Sequence, residues 1–196
     1  MEKKSVFDNF SKDEIFLLPN LLTYFRLILI PFILYFYVFK KDFNTATILI
    51  IISFISDILD GLIARTFNMV SNIGKAMDPI ADKLTQGFIA IALCSRYRLM
   101  IMFVLVFAIG HIITLMLGVV NTSVNNEVNS AKWHGKLCTG IIIGSLIILV
   151  LIQKLDLRIV RCLIILMTIA SFINTTLYTR SFLKKLNKNE EKGLNE

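Results

Sequence analysis

Four aspartates lie within one short stretch of an otherwise apolar chain. Two pairs, Asp57 with Asp60 and Asp78 with Asp82, occur in SDILDGLIARTFNMVSNIGKAMDPIADK, residues 56–83. Carboxylates held close together repel one another and take up protons unless a cation neutralises them. Oxygen-only ligand sets suit hard ions such as Mg²⁺, Mn²⁺ or Ca²⁺, and Mg²⁺ is commonly held by carboxylates plus substrate phosphates. The stretch therefore predicts a divalent metal with a bound diphosphate.

Helical spacing places each acidic pair on a single helix face. One face of the second predicted helix, residues 44–65, carries Asp57, Asp60, Gly61 and Ala64, at spacings of i, i+3, i+4 and i+7. Asp78 and Asp82 are spaced i, i+4 on the next helix. Antiparallel helices joined by a short connection bring such pairs together. We therefore expect all four carboxylates to face one site.

The residues between the two pairs fit a phosphate ligand. Gly61, Ala64 and Gly74 leave room for a ligand to approach the backbone. Arg65 offers a fork of donors that matches phosphate. Two structural alternatives remain for single residues: small side chains also serve helix packing in membranes, and Asp78 before Pro79 also fits a helix N-cap.

The elements that must position these residues are long apolar helices. The chain has 196 residues, of which 56% are hydrophobic. A membrane helix needs about 20 mostly apolar residues. Segments that approach this length are 19–39, 44–65, 78–95, 99–120, 136–153 and 157–178. The pattern predicts an all-α polytopic membrane protein with six transmembrane helices in a domain of residues 19–179.

The two ends of the chain are polar. Phe7, Phe10, Ile15 and Phe16 among charges predict a short amphipathic helix on the membrane surface within the N-terminal segment 1–18, with a disordered tail as the alternative. Residues 180–196 are predicted to form a charged cytoplasmic tail. The net charge of +7 lies mostly at helix ends and in this tail, which favours anionic lipid headgroups over nucleic acid as partners.

The distribution of Lys and Arg predicts the orientation. Six helices place both termini on one face, together with the connections 66–77 and 121–135. Lys and Arg are more numerous on that face than on the other. The positive-inside rule therefore places both termini, and the acidic stretch, at the cytoplasmic side of a membrane that we expect to be the bacterial cytoplasmic membrane.

The acidic stretch resembles the signature of the CDP-alcohol phosphotransferase family, D-x2-D-G-x2-A-R-x8-G-x3-D-x3-D, with every spacing kept. The resemblance implies transfer of a phosphatidyl group from CDP-diacylglycerol to an acceptor alcohol with release of CMP, in phospholipid biosynthesis. It implies that the metal, Mg²⁺ or Mn²⁺, is held by Asp57, Asp60, Asp78 and Asp82. It implies that Asp82 is the general base. Implied contacts to the cytidine nucleotide are Gly61, Ala64, Arg65, Ser71 and Gly74. Members of the family generally form homodimers.

A second resemblance concerns the acceptor. LPNLLTYFRLILIP, residues 18–31, and GKAMDPIADK, residues 74–83, are similar to the phosphatidylglycerophosphate synthase and cardiolipin synthase branch. This implies that Asn20, Thr23 and Arg26 line the cytoplasmic end of the site. The structural alternative is a helix that starts at Pro19, with an Arg reaching to the interface.

The fourth helix departs from the glycerophosphate branch. That branch typically carries Ala-Arg-Glu there, whereas this chain has FAIGHIITLML, with His111. Lys132 and Lys136 are the candidates for an acceptor phosphate. Glycerol 3-phosphate is the expected acceptor, and the alternatives are phosphatidylglycerol, serine and inositol.

Rival classes are an intramembrane prenyltransferase, a divalent-cation transporter and a catalytically silent scaffold. Prenyltransferases carry their two Asp-rich motifs far apart in the chain, unlike the stretch here. No inverted repeat is visible, and the acids cluster near one membrane face, which disfavours a transporter. Gly140 and Gly144 form a small-xxx-small pair that fits either a dimer face or packing within the bundle.

Overall fold

The regular elements of the described chain are all helical. The computed structural model describes residues 17–67, 72–125 and 133–193. The helices are α1 (Leu18–Leu34), a π-helical turn π1 (Tyr35–Phe39), α2 (Phe43–Thr66), α3 (Asn72–Cys94), α4 (Met100–Asn125), α5 (Trp133–Leu151) and α6 (Leu157–Gly193). The predicted all-α class is confirmed.

Four of these helical stretches are long and apolar enough to cross a membrane. They are Leu18–Phe39, Phe43–Thr66, Met100–Leu117 and Leu157–Leu183. The apolar part of α5, Gly135–Leu151, is shorter. Helix α3 is not among these four stretches, and it carries the charged residues Lys75, Asp78, Asp82 and Lys83. The structure therefore supports an integral membrane protein with four candidate spans.

Large apolar side chains point away from the helix contacts. Those that are more than half exposed include Ile28, Phe32, Ile58, Leu115, Met116 and Phe172. So many large exposed apolar side chains are unusual on a water-soluble monomer. It matches helices whose outer faces contact lipid.

Contacts between helices divide the chain into two units, Met1–Ser95 and Arg96–Glu196. In the first unit, α1 packs against both α2 and α3. Buried residues of this unit include Leu29, Ile30 and Ile33 of α1, Ala46 and Ile50 of α2, and Ile89 and Leu93 of α3. Since α1 is the helix that contacts both others, its buried face decides how α2 and α3 are arranged.

In the second unit, α6 packs against α4 and α5. Its core includes Phe103, Phe107, Leu146, Leu149, Ile164 and Met167. A β-carbon at Gly110 would collide with the side-chain hydroxyl of Thr175, so glycine is needed where α4 approaches α6. The packing in this unit is almost entirely apolar.

The connection between α1 and α2 is stabilised by an aromatic contact and by a side-chain cap of α2. Tyr37 of π1 is buried and packs edge-on against Phe43, with ring centroids 5.0 Å apart. Lys41 has a φ of 54°, which lets the chain turn before α2. Asp42 then caps α2 by accepting hydrogen bonds from the Thr45 backbone N–H at 3.2 Å and the Thr45 hydroxyl at 2.6 Å. These bonds hold the pKa of Asp42 below its usual value.

Two helix boundaries differ from the sequence-based expectation. Helix α3 starts at Asn72, so Asp78 and Pro79 lie inside it and the N-cap alternative for Asp78 is wrong. Helix α6 continues to Gly193, through most of the predicted tail 180–196, because that segment is rich in the helix formers Lys, Leu and Glu. The predicted amphipathic helix of residues 1–18 lies almost entirely outside the described residues.

Candidate active site

The acids of α2 lie on its buried polar face. Asp60 is only 7% exposed, whereas the side chain of Asp57 is 43% exposed. Ser53 and Ser56 continue the same face deeper into the helix, and both are buried. A face of this kind inside an apolar bundle needs polar partners from neighbouring helices.

The acids of α3 lie on a face of the same character. Asp78 and Asp82 are half-buried, and Thr85 and Gln86 follow them on the same side as buried residues. Among the described residues, no protein group forms a hydrogen bond with Thr85 Oγ1, Gln86 Oε1 or the Ser53 hydroxyl of α2. Buried polar atoms of this kind are normally satisfied by bound water. The polar faces of α2 and α3 therefore extend from the acids toward the middle of each helix.

Arg26 of α1 joins the two acidic pairs. Its side chain is 2% exposed. Nη1 lies 2.5 Å from Asp57 Oδ1 and also pairs with Asp82 Oδ1, while Nη2 pairs with Asp60 Oδ2. One guanidinium thus bridges carboxylates from two different helices. The planar fork of arginine suits such multiple contacts better than the ammonium of lysine does.

The fourth acid is held by Thr23, also on α1. The Thr23 hydroxyl lies 2.9 Å from Asp78 Oδ1 and 3.2 Å from the Pro19 carbonyl oxygen. A hydroxyl has one proton and donates it to one acceptor at a time. The shorter contact, to a charged oxygen, is the stronger of the two. Thr23 therefore orients the carboxylate of Asp78.

Two predicted residues of α1 thus contact all four predicted acids: Arg26 contacts three of them, and Thr23 contacts Asp78. The sequence predicts Thr23 and Arg26 at the end of the site, whereas the structure places Arg26 between the acids of α2 and the acid of α3. The third predicted residue of α1, Asn20, is buried one turn before Thr23. The available signal was the spacing of Asn20, Thr23 and Arg26, which places three polar groups along one side of an apolar helix.

The chemistry of this cluster fits a divalent cation. Within the described ranges, no three Asp, Glu, His or Cys side chains lie close enough together to hold a metal ion in their present positions. The carboxylates of Asp57, Asp60 and Asp82 nevertheless already surround one positive group. That single guanidinium offsets only part of the charge of four carboxylates. The oxygen donors and the remaining negative charge are those that Mg²⁺ and Mn²⁺ require.

The predicted nucleotide contacts lie around the end of α2 and the start of α3. No described atom lies within 4 Å of the position that a β-carbon on Gly61 would occupy, so space is open beside the acids. Ala64 is half-buried, Arg65 is exposed in the last turn of α2, and Gly74 is buried in α3. Ser71 lies outside the described residues. The open space at Gly61 and the exposed guanidinium of Arg65 suit an anionic ligand.

The predicted acceptor residues belong to the second unit. Lys136 is exposed near the start of α5, and Lys132 lies outside the described residues. His111 of α4 has its Nδ1 2.8 Å from the Phe107 carbonyl oxygen and its ring 4.1 Å from the Phe107 ring. These contacts are local to α4 and fit a packing role for His111.

Comparison with known proteins agrees with the signature. The profile of the CDP-alcohol phosphatidyltransferase family matches residues 16–176. The CDP-diacylglycerol--glycerol-3-phosphate 3-phosphatidyltransferase of Aquifex aeolicus is 33% identical over 159 residues, which cover 79% of this chain and 87% of that protein. The enzyme of the same name from Rickettsia typhi is 38% identical over 81 residues, 40% of this chain and 46% of that protein.

A cardiolipin synthase is also similar over part of the chain. The cardiolipin synthase (CMP-forming) / mitochondrial hydrolase fusion protein of Schizosaccharomyces pombe is 39% identical over 85 residues, 43% of this chain and 14% of that protein. The family profile covers all four aspartates and the α1 residues that bind them. The chain belongs to the CDP-alcohol phosphatidyltransferase family.

Proposed function

We propose that this chain transfers the phosphatidyl group of CDP-diacylglycerol to glycerol 3-phosphate and releases CMP. The observation that carries the proposal is the convergence of Asp57, Asp60 and Asp82 on one cationic group, with Asp78 held beside them by Thr23. The choice of glycerol 3-phosphate is supported by the Aquifex aeolicus relative, whose similarity extends over most of both chains.

The four aspartates are assigned to one divalent ion site, for Mg²⁺ or Mn²⁺. When bound, the ion would draw charge from the diphosphate and stabilise the departing CMP. The space at Gly61 and Ala64 would receive the nucleotide, Gly74 and Ser71 would contact its phosphates, and Arg65 would donate hydrogen bonds to them. Asp57, Asp60 and Asp78 would be ligands, and Asp82 would complete the set.

Asp82 is also assigned the proton transfer. Its carboxylate would take the proton from the acceptor hydroxyl while that oxygen forms a bond to the phosphorus of the phosphatidyl group. The bond between this phosphorus and the oxygen that leaves with CMP would break. A carboxylate is a weak base, so positioning and charge stabilisation must supply most of the rate. The shared contact with Arg26 supports this assignment, because it places the carboxylate of Asp82 next to those of Asp57 and Asp60.

A second acceptor, phosphatidylglycerol, has its own support. The chain lacks the Ala-Arg-Glu stretch of the glycerophosphate branch at FAIGHIITLML. It also shares 39% identity over 85 residues with a cardiolipin synthase. With phosphatidylglycerol as acceptor, the same site would make cardiolipin, and Lys132 and Lys136 would bind the phosphate of either acceptor.

The membrane arrangement is part of the proposal. We assign six transmembrane helices, which include α3 and α5 in addition to the four candidate spans. The bias of Lys and Arg supports a cytoplasmic site and cytoplasmic termini in a bacterial membrane. A homodimer is expected, with the Gly140 and Gly144 face as one candidate contact, since a β-carbon at either position would meet no described atom within 4 Å.

The experiment that tests the acceptor is a comparison of CMP release. Purified protein in mixed micelles is given CDP-diacylglycerol and Mg²⁺ or Mn²⁺, with glycerol 3-phosphate, phosphatidylglycerol, serine or inositol in separate reactions. We expect release with glycerol 3-phosphate, and none in EDTA. Release with phosphatidylglycerol alone would replace the acceptor assignment. Metal uptake into vesicles without nucleotide binding would favour a cation transporter instead.

Thr23→Val is expected to weaken metal-dependent CMP binding by about 10- to 100-fold, since a hydrogen bond to a charged group contributes about 1.5–3 kcal/mol. Valine keeps the shape of threonine but cannot donate to Asp78. The matched control is Thr168→Val in α6, because the Thr168 hydroxyl donates a hydrogen bond to the Ile164 carbonyl oxygen at 2.7 Å within its own helix. Isothermal titration with CMP and Mg²⁺ measures the effect, and Thr23→Ser should restore binding. Equal affinities for the two valine variants would refute the role of Thr23.

A further inference from the structure

We propose that Arg26 is a built-in counter-cation of the acidic cluster and that it competes with the divalent ion for the oxygens of Asp57, Asp60 and Asp82. This inference rests on the metal site assigned above. It adds a second state to that site, in which an arginine from α1 takes the place of the metal.

Burial of Arg26 requires negative partners. Its side chain is 2% exposed, and a guanidinium does not lose its proton in a protein. A buried charge therefore has to be paired, since it has no neutral form available. The partners are the three carboxylates, and among the described residues Nε has no hydrogen-bond partner. The position of Arg26 is thus maintained by the acids.

The acids in turn need a cation when no metal is bound. Four carboxylates within one site repel one another. Arg26 offsets part of this charge and connects α1 to α2 through Asp57 and Asp60, and to α3 through Asp82. In the absence of metal, Arg26 therefore stabilises the arrangement of the three helices.

The guanidinium and a metal ion cannot hold the same oxygens together. Nη1 contacts one oxygen each of Asp57 and Asp82, and Nη2 contacts one oxygen of Asp60. An ion that bound these same oxygens at about 2.0–2.1 Å, the distance typical of Mg²⁺, would compete for them with the guanidinium nitrogens. Metal binding must therefore displace at least part of the fork. Two ligands that exclude each other are coupled, so removal of one strengthens the binding of the other.

The test is the affinity for Mn²⁺ alone, measured by electron paramagnetic resonance on purified protein in detergent micelles without nucleotide. We expect Arg26→Gln to bind Mn²⁺ at least about tenfold more tightly than the unchanged protein. We also expect it to unfold at a lower temperature in EDTA and to gain more from added Mn²⁺. Damage to the site would weaken Mn²⁺ binding, so the direction of the change separates competition from structural loss.

Arg65→Gln is the charge-matched control. It removes one guanidinium from α2, the helix that carries Asp57 and Asp60, but Arg65 is exposed and makes no ion pair with a described residue. Its Mn²⁺ affinity should change less than about threefold. If Arg65→Gln tightens binding as much as Arg26→Gln does, the cause is long-range charge and the competition is refuted.

Arg26→Lys is a second test of the competition, for use if Arg26→Gln does not fold. A lysine keeps the charge but lacks the two-nitrogen fork that now spans Asp57, Asp60 and Asp82, so we expect an intermediate gain in Mn²⁺ affinity. Unchanged or weaker binding in the folded variants would overturn the role of Arg26 while leaving the metal site intact. An unchanged protein that binds no Mn²⁺ would overturn both.

Discussion

Replacement of Asp82 by asparagine is expected to lower kcat for CMP release by a factor of about 10²–10⁴, the usual contribution of a general base. Asparagine has nearly the same size and keeps an oxygen that Arg26 can contact. It cannot take a proton from the acceptor hydroxyl. Metal-dependent binding of CMP should stay within about tenfold of the unchanged protein, because Asp57, Asp60 and Asp78 remain.

The measurement combines steady-state CMP release with titration of CMP in Mg²⁺. Asp156→Asn is the control, since Asp156 is exposed and its carboxylate accepts a hydrogen bond from the Arg158 backbone N–H at 2.9 Å. That variant should retain both turnover and binding. Normal turnover in Asp82→Asn would rule out Asp82 as the general base. Loss of binding in parallel with turnover would make Asp82 primarily a metal ligand.

Asp60→Asn is expected to abolish metal-dependent CMP binding, with an affinity loss of at least about 100-fold. Asp60 is the most buried of the four acids, and its carboxylate pairs with Arg26. The variant should also be less stable in EDTA, because breaking a buried ion pair by removal of one partner costs about 3–5 kcal/mol. Two effects of one substitution, on ligand binding and on folding, therefore have to be separated.

Asp57→Asn separates the two effects of the Asp60 substitution. The Asp57 side chain is 43% exposed, so the loss of its charge should disturb folding less while still removing a metal ligand. CMP titrations with Mg²⁺ and with EDTA, together with thermal unfolding in EDTA, measure both quantities. If either folded variant binds CMP in Mg²⁺ as the unchanged protein does, the metal assignment is wrong.

The sequence was sufficient for the family of the protein and for the helical spacing of its four aspartates. The spacing of Asp57, Asp60, Asp78 and Asp82 follows the helical repeat, which is a local property of the backbone. The apolar segments predicted helices for the same reason. The family that the spacing indicated is confirmed by the match over residues 16–176.

Helix ends were predicted less well than helix positions. The start of α3 was expected near residue 78, where the apolar segment 78–95 begins, and Asp78 before Pro79 was considered as an alternative N-cap. The helix starts at Asn72 instead, and Pro79 is accommodated within it. Likewise the charged end of α6 remains helical to Gly193. Local signals of this kind compete with the helix propensity of the flanking residues. A local signal alone therefore does not determine where a helix begins or ends.

The partners of the acids were decided by tertiary structure. Arg26 lies 34 residues before Asp60 and 56 before Asp82, and Thr23 lies 55 before Asp78. No local rule connects positions so far apart. The contacts arise because α1 packs against both α2 and α3, with its polar residues on the side that faces them. The sequence by itself determined which residues are acidic and how they are spaced along each helix. Only the packing of α1 decided that a buried guanidinium would hold them together, because an unpaired charge at that depth would be too costly.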